Sequence, residues 1–514
     1  LPNFSEVKGI VYDGKLTSIP EGLFSNCPAV KQMDHVFGAT AITSVPGGIF
    51  AAQANATIFT GAFVACVRLK EIHPGFMSKA TAATDIKYMF SGCESLEDIP
   101  ARMFVNNSAV TNLEYIFHKT GVKRLEGGIF EGLVNVKTIG AAFMDCVSLS
   151  ELSTDLFKGL TSARSFRYCF SGCTSLRNIP SGLFAGMTNA VEFTYTFEST
   201  ALESVPVDLF VDCKNSYSLD LTYIFAECKN LKTVPAGLFD TLTKLSSPGF
   251  KNAFEASGIE TIPAGLFAKN TDVTSGFEET FYRCESLKTI EGPIFAETSS
   301  VSSMARTFLG CTALEEIPED LFSSLAGSKT KYTATFKECT SLKSLPEGLF
   351  TDNVLATHFV ETFRGCTALK SIPENLIGEN SKVTYVSDMF AECTSLTELP
   401  EDLFSGTPAI TSFEGTFANC TSLESLPETL FSAIGTKTSS VTFAECFFNC
   451  SSLKSLPAGL FDTVRRINYI DGCFYGCASL TGESPYTVIT DENGEQKKIH
   501  LYERTKGDDF PVAP

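Results

Sequence analysis

The sequence predicts an α/β repeat solenoid of about seventeen stacked units, with a parallel sheet on one face, short strands and tight helical turns. One motif recurs with a mean period of about 27 residues along nearly the whole chain. Its apolar positions keep the same register in every copy, and no other period competes. Such a period indicates a solenoid, because each unit can bury its apolar face only by stacking on its neighbours.

The motif is clearest where Val136-Lys137-Thr138-Ile139 precedes Phe143, Cys146 and Leu149. Its general form is two apolar residues three apart, then Phe-x-x-Cys-x-x-Leu-x-x-Ile, usually followed by Pro-x-x-Leu-Phe. The Phe of Phe-x-x-Cys, or of its variant with Thr or Ser in place of Cys, recurs at Phe37, Phe63, Phe90, Phe117, Phe143, Phe170, Phe197, Phe225, Phe254, Phe281, Phe308, Phe336, Phe363, Phe390, Phe417, Phe447 and Phe474.

Each part of the motif predicts one element of the unit. Leu-x-x-Ile is expected to form a short strand, which the following Pro ends because Pro has no N–H to donate. Phe-x-x-Cys is expected to form a tight helical turn. The apolar pair before it is expected to be an extended segment on another face.

The chain divides into three predicted parts. Residues 1–36 are an N-terminal cap with a partial repeat, residues 37–481 are one continuous solenoid, and residues 482–514 are a C-terminal hairpin cap or tail. In the last part, Tyr486–Thr490 and Lys498–Tyr502 alternate like strands around the turn-forming Asp491–Gly494. A terminal repeat needs its open apolar end covered.

Charge and hydropathy exclude several classes of protein. The net charge of −19 argues against binding nucleic acid or anionic lipid, since both require clustered Lys and Arg. Leu1 does not open a secretory signal, so the chain is either cytosolic or has lost a leader. The uncharged Pro46–Val67 is interpreted as a solenoid rung, because Phe59, Phe63 and Cys66 keep the register, and no membrane insertion is expected.

Most of the eighteen cysteines occupy the Cys position of the motif, where Thr40, Thr120, Thr200 and Ser257 also occur. A position that accepts Thr or Ser requires a small, semi-polar side chain and predicts free, buried thiols. Disulfides remain the alternative. The pairs to inspect are Cys169–Cys173, Cys446–Cys450 and Cys473–Cys477.

No catalytic motif is present, so the sequence predicts a non-enzymatic protein with no cofactor and no metal. The histidines are scattered over different repeat positions: His35, His73, His118, His358 and His500.

Two rows of charge follow the repeat. The residue after the strand Leu alternates in sign on consecutive units, which predicts a self-neutralising ladder at Glu203, Lys232, Glu260, Lys288, Glu315 and Lys343. The residue after Pro is acidic on five consecutive units. This acidic stripe, the one candidate interaction site, comprises Glu319, Glu347, Glu374, Glu401 and Glu428. A solvated face, a docking site for a basic partner and a cation site such as Ca²⁺ remain open for it.

Leu-x-x-Ile-Pro, together with the segment from Val136 to Phe143, resembles the BspA-like leucine-rich-repeat surface proteins over residues 10–481. The tail around Ser484 and His500 resembles segments that end such arrays in gut-bacterial members. The resemblance implies a leucine-rich-repeat solenoid, export to the cell surface or secretion, adhesion to host or partner-cell proteins, and no catalytic residues. The unit of about 27 residues exceeds the family's shorter form, which leaves the curvature and the binding face open.

The sequence therefore predicts a monomeric, cell-surface or secreted adhesion scaffold that binds a protein partner, with a host extracellular protein as one candidate. A structural spacer or envelope component is the alternative, and carbohydrate binding is a third. An adhesin should carry an aromatic or apolar patch on one face, whereas a spacer should be uniformly polar.

Overall fold

The computed structural model describes residues 15–213, 219–245, 248–274, 276–295, 301–435, 440–481, 486–490 and 496–500. The chain forms two compact units, Leu1–Ser257 and Gly258–Pro514, here called unit 1 and unit 2. Each unit is a stack of rungs, where one rung is one copy of the motif. The one helix among the described residues is a 3-10 turn at Ser323–Leu325.

Short parallel strands lie where Leu-x-x-Ile predicts them. In unit 1, β1 (Ser44–Val45) pairs with β2 (Glu71–Ile72), and β3 (Arg124–Leu125) pairs with β4 (Glu151–Leu152). In unit 2, β5 (Thr261–Ile262) pairs in the same way with β6 (Thr289–Ile290). Their short length follows from the chain turning away after each apolar residue.

A second face is built by the apolar pair before Phe-x-x-Cys, as predicted. Single parallel bridges join successive rungs there, in unit 1 at Gln32, Ile58, Asp85, Asn112, Thr138, Ser165, Glu192 and Asp220, and in unit 2 at Ser303, Lys331, His358, Tyr385, Ser412 and Thr442. On this face, β7 (Val441–Thr442) also pairs in parallel with β8 (Ile467–Tyr469).

The turn around Phe-x-x-Cys is tight, as predicted, but its backbone alternates instead of continuing as a helix. Cys66 donates its N–H to the Phe63 carbonyl at 3.3 Å, which closes the turn. Residues two before and two after the Phe have positive φ, as at Gly61 (58°) and Ala65 (55°). Every second N–H is consequently free to bond the next rung, and Phe63 donates to the Met89 carbonyl at 2.9 Å.

Phenylalanine fills the core of each unit. The Phe of Phe-x-x-Cys is buried on every rung. Successive rings stack at 5.3 Å between Phe63 and Phe90 in unit 1 and between Phe308 and Phe336 in unit 2. The Phe of Leu-Phe forms a second buried stack beside it, as between Phe322 and Phe350 at 5.5 Å. Burial of these rings is the main stabilising term, because each aromatic side chain removes a large apolar area from water.

The Cys position is buried and hydrogen-bonded, and all eighteen cysteines are in the thiol form. The thiol donates to the Phe carbonyl of the preceding rung, as from Cys66 to Phe37 at 3.0 Å. Thr120 uses the same site differently and donates to the Phe117 carbonyl of its own rung at 2.9 Å. Because hydroxyl and thiol both find a carbonyl acceptor here, the position accepts Thr, Ser or Cys.

The C-terminal part contains an antiparallel hairpin of β9 (Tyr486–Thr490) and β10 (Gln496–His500). The second strand was expected at Lys498–Tyr502 but begins earlier, because the register pairs Gln496 with Thr490. Strand β9 lies beside β8 of the last rung. The predicted turn at Asp491–Gly494, the first fourteen residues of the predicted cap and residues 501–514 lie outside the described residues.

Candidate functional site

A row of tyrosines crosses unit 1 at the position two residues before the core Phe. We call this set the tyrosine row, and it comprises Tyr88, Tyr115, Tyr168, Tyr195 and Tyr223. All five have φ between 55° and 58°, the left-handed conformation of the turn. Because the same backbone recurs on each rung, neighbouring rings stack in parallel. Their centroids are 4.8 Å apart for Tyr88 and Tyr115, and 4.6 Å apart for Tyr168 and Tyr195.

The tyrosine row is partly open to solvent. Tyr88 is 39% exposed, and the other four are half-buried. The exposed guanidinium of Arg167 lies 5.0 Å from the centre of the Tyr168 ring, within cation–π range. Burial, followed by the neighbouring Tyr223 and Tyr168, raises the pKa of Tyr195 to about 12. A hydrogen bond with the Tyr223 side chain also raises the pKa of Tyr195, so its hydroxyl stays protonated near neutral pH and is bonded within the row.

The row is divided into two runs by Ala141, which occupies the same position on the rung between Tyr115 and Tyr168. Ala141 is buried, so it adds no side-chain surface. The longer run, Tyr168, Tyr195 and Tyr223, spans three consecutive rungs, with Tyr195 and Tyr223 centroids 4.4 Å apart. Stacking holds these rings in place, which makes them a rigid aromatic surface.

In unit 2 the equivalent position carries charged residues on several rungs and no aromatic ring. It holds Glu361 and Asp388 on neighbouring rungs. Arg364 bonds Glu361 at 2.9 Å and Glu392 at 2.8 Å, and Lys337 also bonds Glu361 at 2.8 Å. Burial raises the pKa of Asp388, and Arg364 opposes that effect. These half-buried charges satisfy one another and hold adjacent rungs together.

Ion pairs between rungs confirm the predicted charge ladder after the strand Leu at four of its six residues. Lys288 lies 3.1 Å from Glu260, and Lys343 pairs with Glu315. Such exposed pairs contribute little stability individually. These four charges neutralise each other and form no row of one sign.

The five residues of the acidic stripe are exposed and lie in turns of unit 2. None of them forms an ion pair within the part of the chain that the structure describes. No group of three His, Cys, Asp or Glu side chains in that part is arranged to hold a metal ion. The use of the stripe as an interaction site remains a proposal.

The sequence analysis did not single out the tyrosine row. A signal was present, because Tyr-x-Phe recurs at Tyr88, Tyr115, Tyr168, Tyr195 and Tyr223. Its meaning depends on the side of the rung that each Tyr occupies, and the alternating backbone of the turn decides that side.

Comparison with protein-family models identifies the BspA type leucine rich repeat region, in six copies, over residues 49–222 and 217–343. No curated protein matches the sequence. Among the described residues, no helix has the length and apolar character needed to cross a membrane.

Several solved structures are similar at low identity. A leucine-rich repeat protein from Bacteroides ovatus is 15% identical, with 91% of this chain and 81% of that chain covered and a TM-score of 0.22. A leucine rich cell surface protein from Faecalibacterium prausnitzii is 17% identical, with 85% and 92% covered and a TM-score of 0.28.

The Drosophila Toll–Spatzle complex gives 17% identity and a TM-score of 0.45 over 89% of this chain. This chain spans only 51% of the Toll–Spatzle chain that it matches. The sequence identities and TM-scores of these three structures are too low to transfer a function to this chain. The family match covers more than half of the sequence and agrees with the short parallel strands of both units, so the chain belongs to the BspA type leucine rich repeat family.

Proposed function

We propose that this chain is an adhesion scaffold, displayed at a cell surface or secreted, that binds a protein partner through the tyrosine row of unit 1. One observation supports the proposal most strongly. The position two residues before the core Phe is a partly exposed tyrosine on five rungs of unit 1, whereas on two neighbouring rungs of unit 2 it holds Glu361 and Asp388, which pair with Arg364.

Tyr and Arg are the residue types that dominate protein–protein interfaces, because they bury a large area and also carry hydrogen-bonding groups. Stacked rings lose little further side-chain entropy on binding. The longer run of the row supplies three such rings, and the Arg167 guanidinium beside them supplies hydrogen-bond donors. This arrangement favours an extracellular protein that presents carbonyl or carboxylate acceptors between apolar side chains.

The structural-spacer alternative expects uniformly polar faces, and the tyrosine row argues against it. The stacked rings also weaken the carbohydrate alternative. A sugar binds against the open face of an aromatic ring, and the faces of Tyr195 are occupied by Tyr168 and Tyr223.

The test measures binding of the chain to a panel of immobilised, purified extracellular-matrix proteins. We expect saturable binding to at least one of them. Replacing Tyr168, Tyr195 and Tyr223 together by Ser should weaken that binding by about 100-fold, since interface tyrosines each contribute roughly 1 kcal/mol or more.

The matched control is Tyr385→Ser in unit 2, because Tyr385 is 43% exposed and lies outside the row. This variant should bind like the parent chain. Equal affinities for the triple variant and the parent, with both folded by circular dichroism, would contradict the assignment of the docking surface. Failure to bind any panel member would contradict adhesion to matrix proteins.

A further inference from the structure

Ser91, His118 and Asp145 lie on three successive rungs of unit 1 and form one line of polar contacts. The Ser91 Oγ is 3.0 Å from His118 Nδ1, and His118 Nε2 is 3.5 Å from Asp145 Oδ2. Ser91 and His118 each follow the core Phe of their rung, so stacking brings the two side chains together. Asp145 follows Phe143 by two residues and reaches the far side of the imidazole.

The order hydroxyl, imidazole, carboxylate is the arrangement in which a base activates a serine and an acid orients the base. With Nδ1 accepting from the Ser91 hydroxyl, the ring proton lies on Nε2, facing Asp145. Gly172 on the following rung leaves room for that carboxylate, because a Cβ at Gly172 would collide with it.

The surroundings keep the imidazole in its basic form. Burial lowers the pKa of His118, Lys119 lowers it further, and Asp145 opposes both. The Tyr115 ring contacts the imidazole edge-on, with centroids 5.5 Å apart. Ser91 is 7% exposed, and the His118 side chain beside it is 19% exposed. The stacked rings of Tyr88 and Tyr115 place aromatic surface on the same two rungs.

We propose that Ser91 is an activated nucleophile that accepts an acyl group from aryl esters, with His118 as its general base. The Ser91 Oγ attacks the ester carbonyl carbon while its proton passes to His118 Nδ1. The tetrahedral intermediate then collapses with cleavage of the bond to the aryloxide, which takes the proton from Nδ1. The products are an acyl ester on Ser91 and a free phenol.

The site lacks one component of an efficient hydrolase. The backbone N–H groups of Ser91 and Gly92 already donate to the carbonyls of Tyr88 and His118, at 3.0 and 2.7 Å. Neither can stabilise an oxyanion, and an oxyanion forms in both steps, so acylation is slower than in a hydrolase and release of the acyl group by water is slow as well. The proposal is independent of docking through the tyrosine row.

The chain supplies a matched internal control in Ser171. This serine also follows a core Phe and is only 3% exposed, but its hydroxyl donates to the Glu198 carboxylate at 2.6 Å and has no imidazole beside it. The two serines are therefore both buried and occupy the same position of the turn, but Ser91 bonds an imidazole and Ser171 bonds a carboxylate.

The full chain is incubated with 4-nitrophenyl acetate, and acetylated peptides are quantified by mass spectrometry. We expect Ser91 to be acetylated at least about tenfold more than Ser171, since general-base assistance contributes about 100-fold or more. His118→Gln should lower acetylation of Ser91 by at least about tenfold, whereas Ser171→Ala should leave it unchanged.

Ser91→Ala should abolish the fast release of 4-nitrophenol. This variant is expected to fold, because Ala226 occupies the same position on another rung. Equal acetylation of Ser91 and Ser171, or acetyl groups on His118 or Lys119 instead of Ser91, would overturn the proposal. The comparison of the two serines in the unmodified chain decides the matter even if a variant fails to fold.

Discussion

Replacing Cys146 by Ser should make the protein less sensitive to alkali. Cys146 is fully buried and donates its thiol hydrogen to the Phe117 carbonyl at 3.1 Å. Burial raises the pKa of this thiol from an ordinary value of 9.0 to about 11. Above pH 9 the unfolded chain ionises at Cys146 before the folded chain does. The contribution of this thiol to stability is therefore complete below pH 9 and is lost as the pH rises from 9 to 11.

Linkage gives the size of the effect. A difference of two units between folded and unfolded pKa values costs the folded state about 1.3 kcal/mol between pH 8 and pH 10 for this one thiol. The assay is urea unfolding of the parent and of Cys146→Ser at both pH values, under reducing conditions. All other titrating groups are common to the two proteins. From pH 8 to pH 10, the free energy of unfolding of the variant should therefore fall by about 1.3 kcal/mol less than that of the parent. Equal losses would refute a buried, protonated thiol at this position.

Three further predictions concern unit 2. Phe336→Ala should lower the free energy of unfolding by about 3 to 5 kcal/mol, whereas Tyr385→Ala, at a partly exposed surface ring, should lower it by less than about 1 kcal/mol. Arg364→Ala should lower the free energy of unfolding by about 1 to 2 kcal/mol, because it leaves half-buried carboxylates without their partner. Lys343→Ala breaks only an exposed ion pair and should lower it by less than about 1 kcal/mol. Equal losses for the two variants would contradict a stabilising network around Arg364. Replacing all five residues of the acidic stripe by Gln should raise the melting temperature at low salt only, because salt screens the repulsion that the replacement relieves. The same variant should bind its partner as the parent chain does. A loss of binding that depends on salt would instead identify the stripe as a docking site. The five substituted residues are Glu319, Glu347, Glu374, Glu401 and Glu428.

Periodicity was sufficient to predict the fold. The recurring Phe positions identify the core stack, because a residue that repeats in register on every rung must face the same neighbours. The Leu-x-x-Ile segments identify the strand face, and substitution by Thr or Ser identifies the buried Cys position. Each of these inferences depends on a side chain whose environment is the same on every rung.

The surface could not be predicted in the same way. Non-glycine residues such as Ala65 and Tyr88 adopt positive φ on rung after rung, which their residue types do not suggest. That conformation determines where the tyrosine row lies. The line from Ser91 through His118 to Asp145 was equally hidden, because its members are about one repeat apart and form no short motif.

Hydroxyl-radical footprinting of the chain, alone and with a bound matrix protein, tests the docking proposal most directly. Each tyrosine of the row is oxidised in proportion to its exposure, so a partner that covers the row must protect it. We expect protection of Tyr168, Tyr195 and Tyr223, with Tyr385 and Tyr469 of unit 2 unchanged as internal references. Protection confined to unit 2 or to the strand face, with the tyrosine row oxidised as in the free chain, would contradict the account.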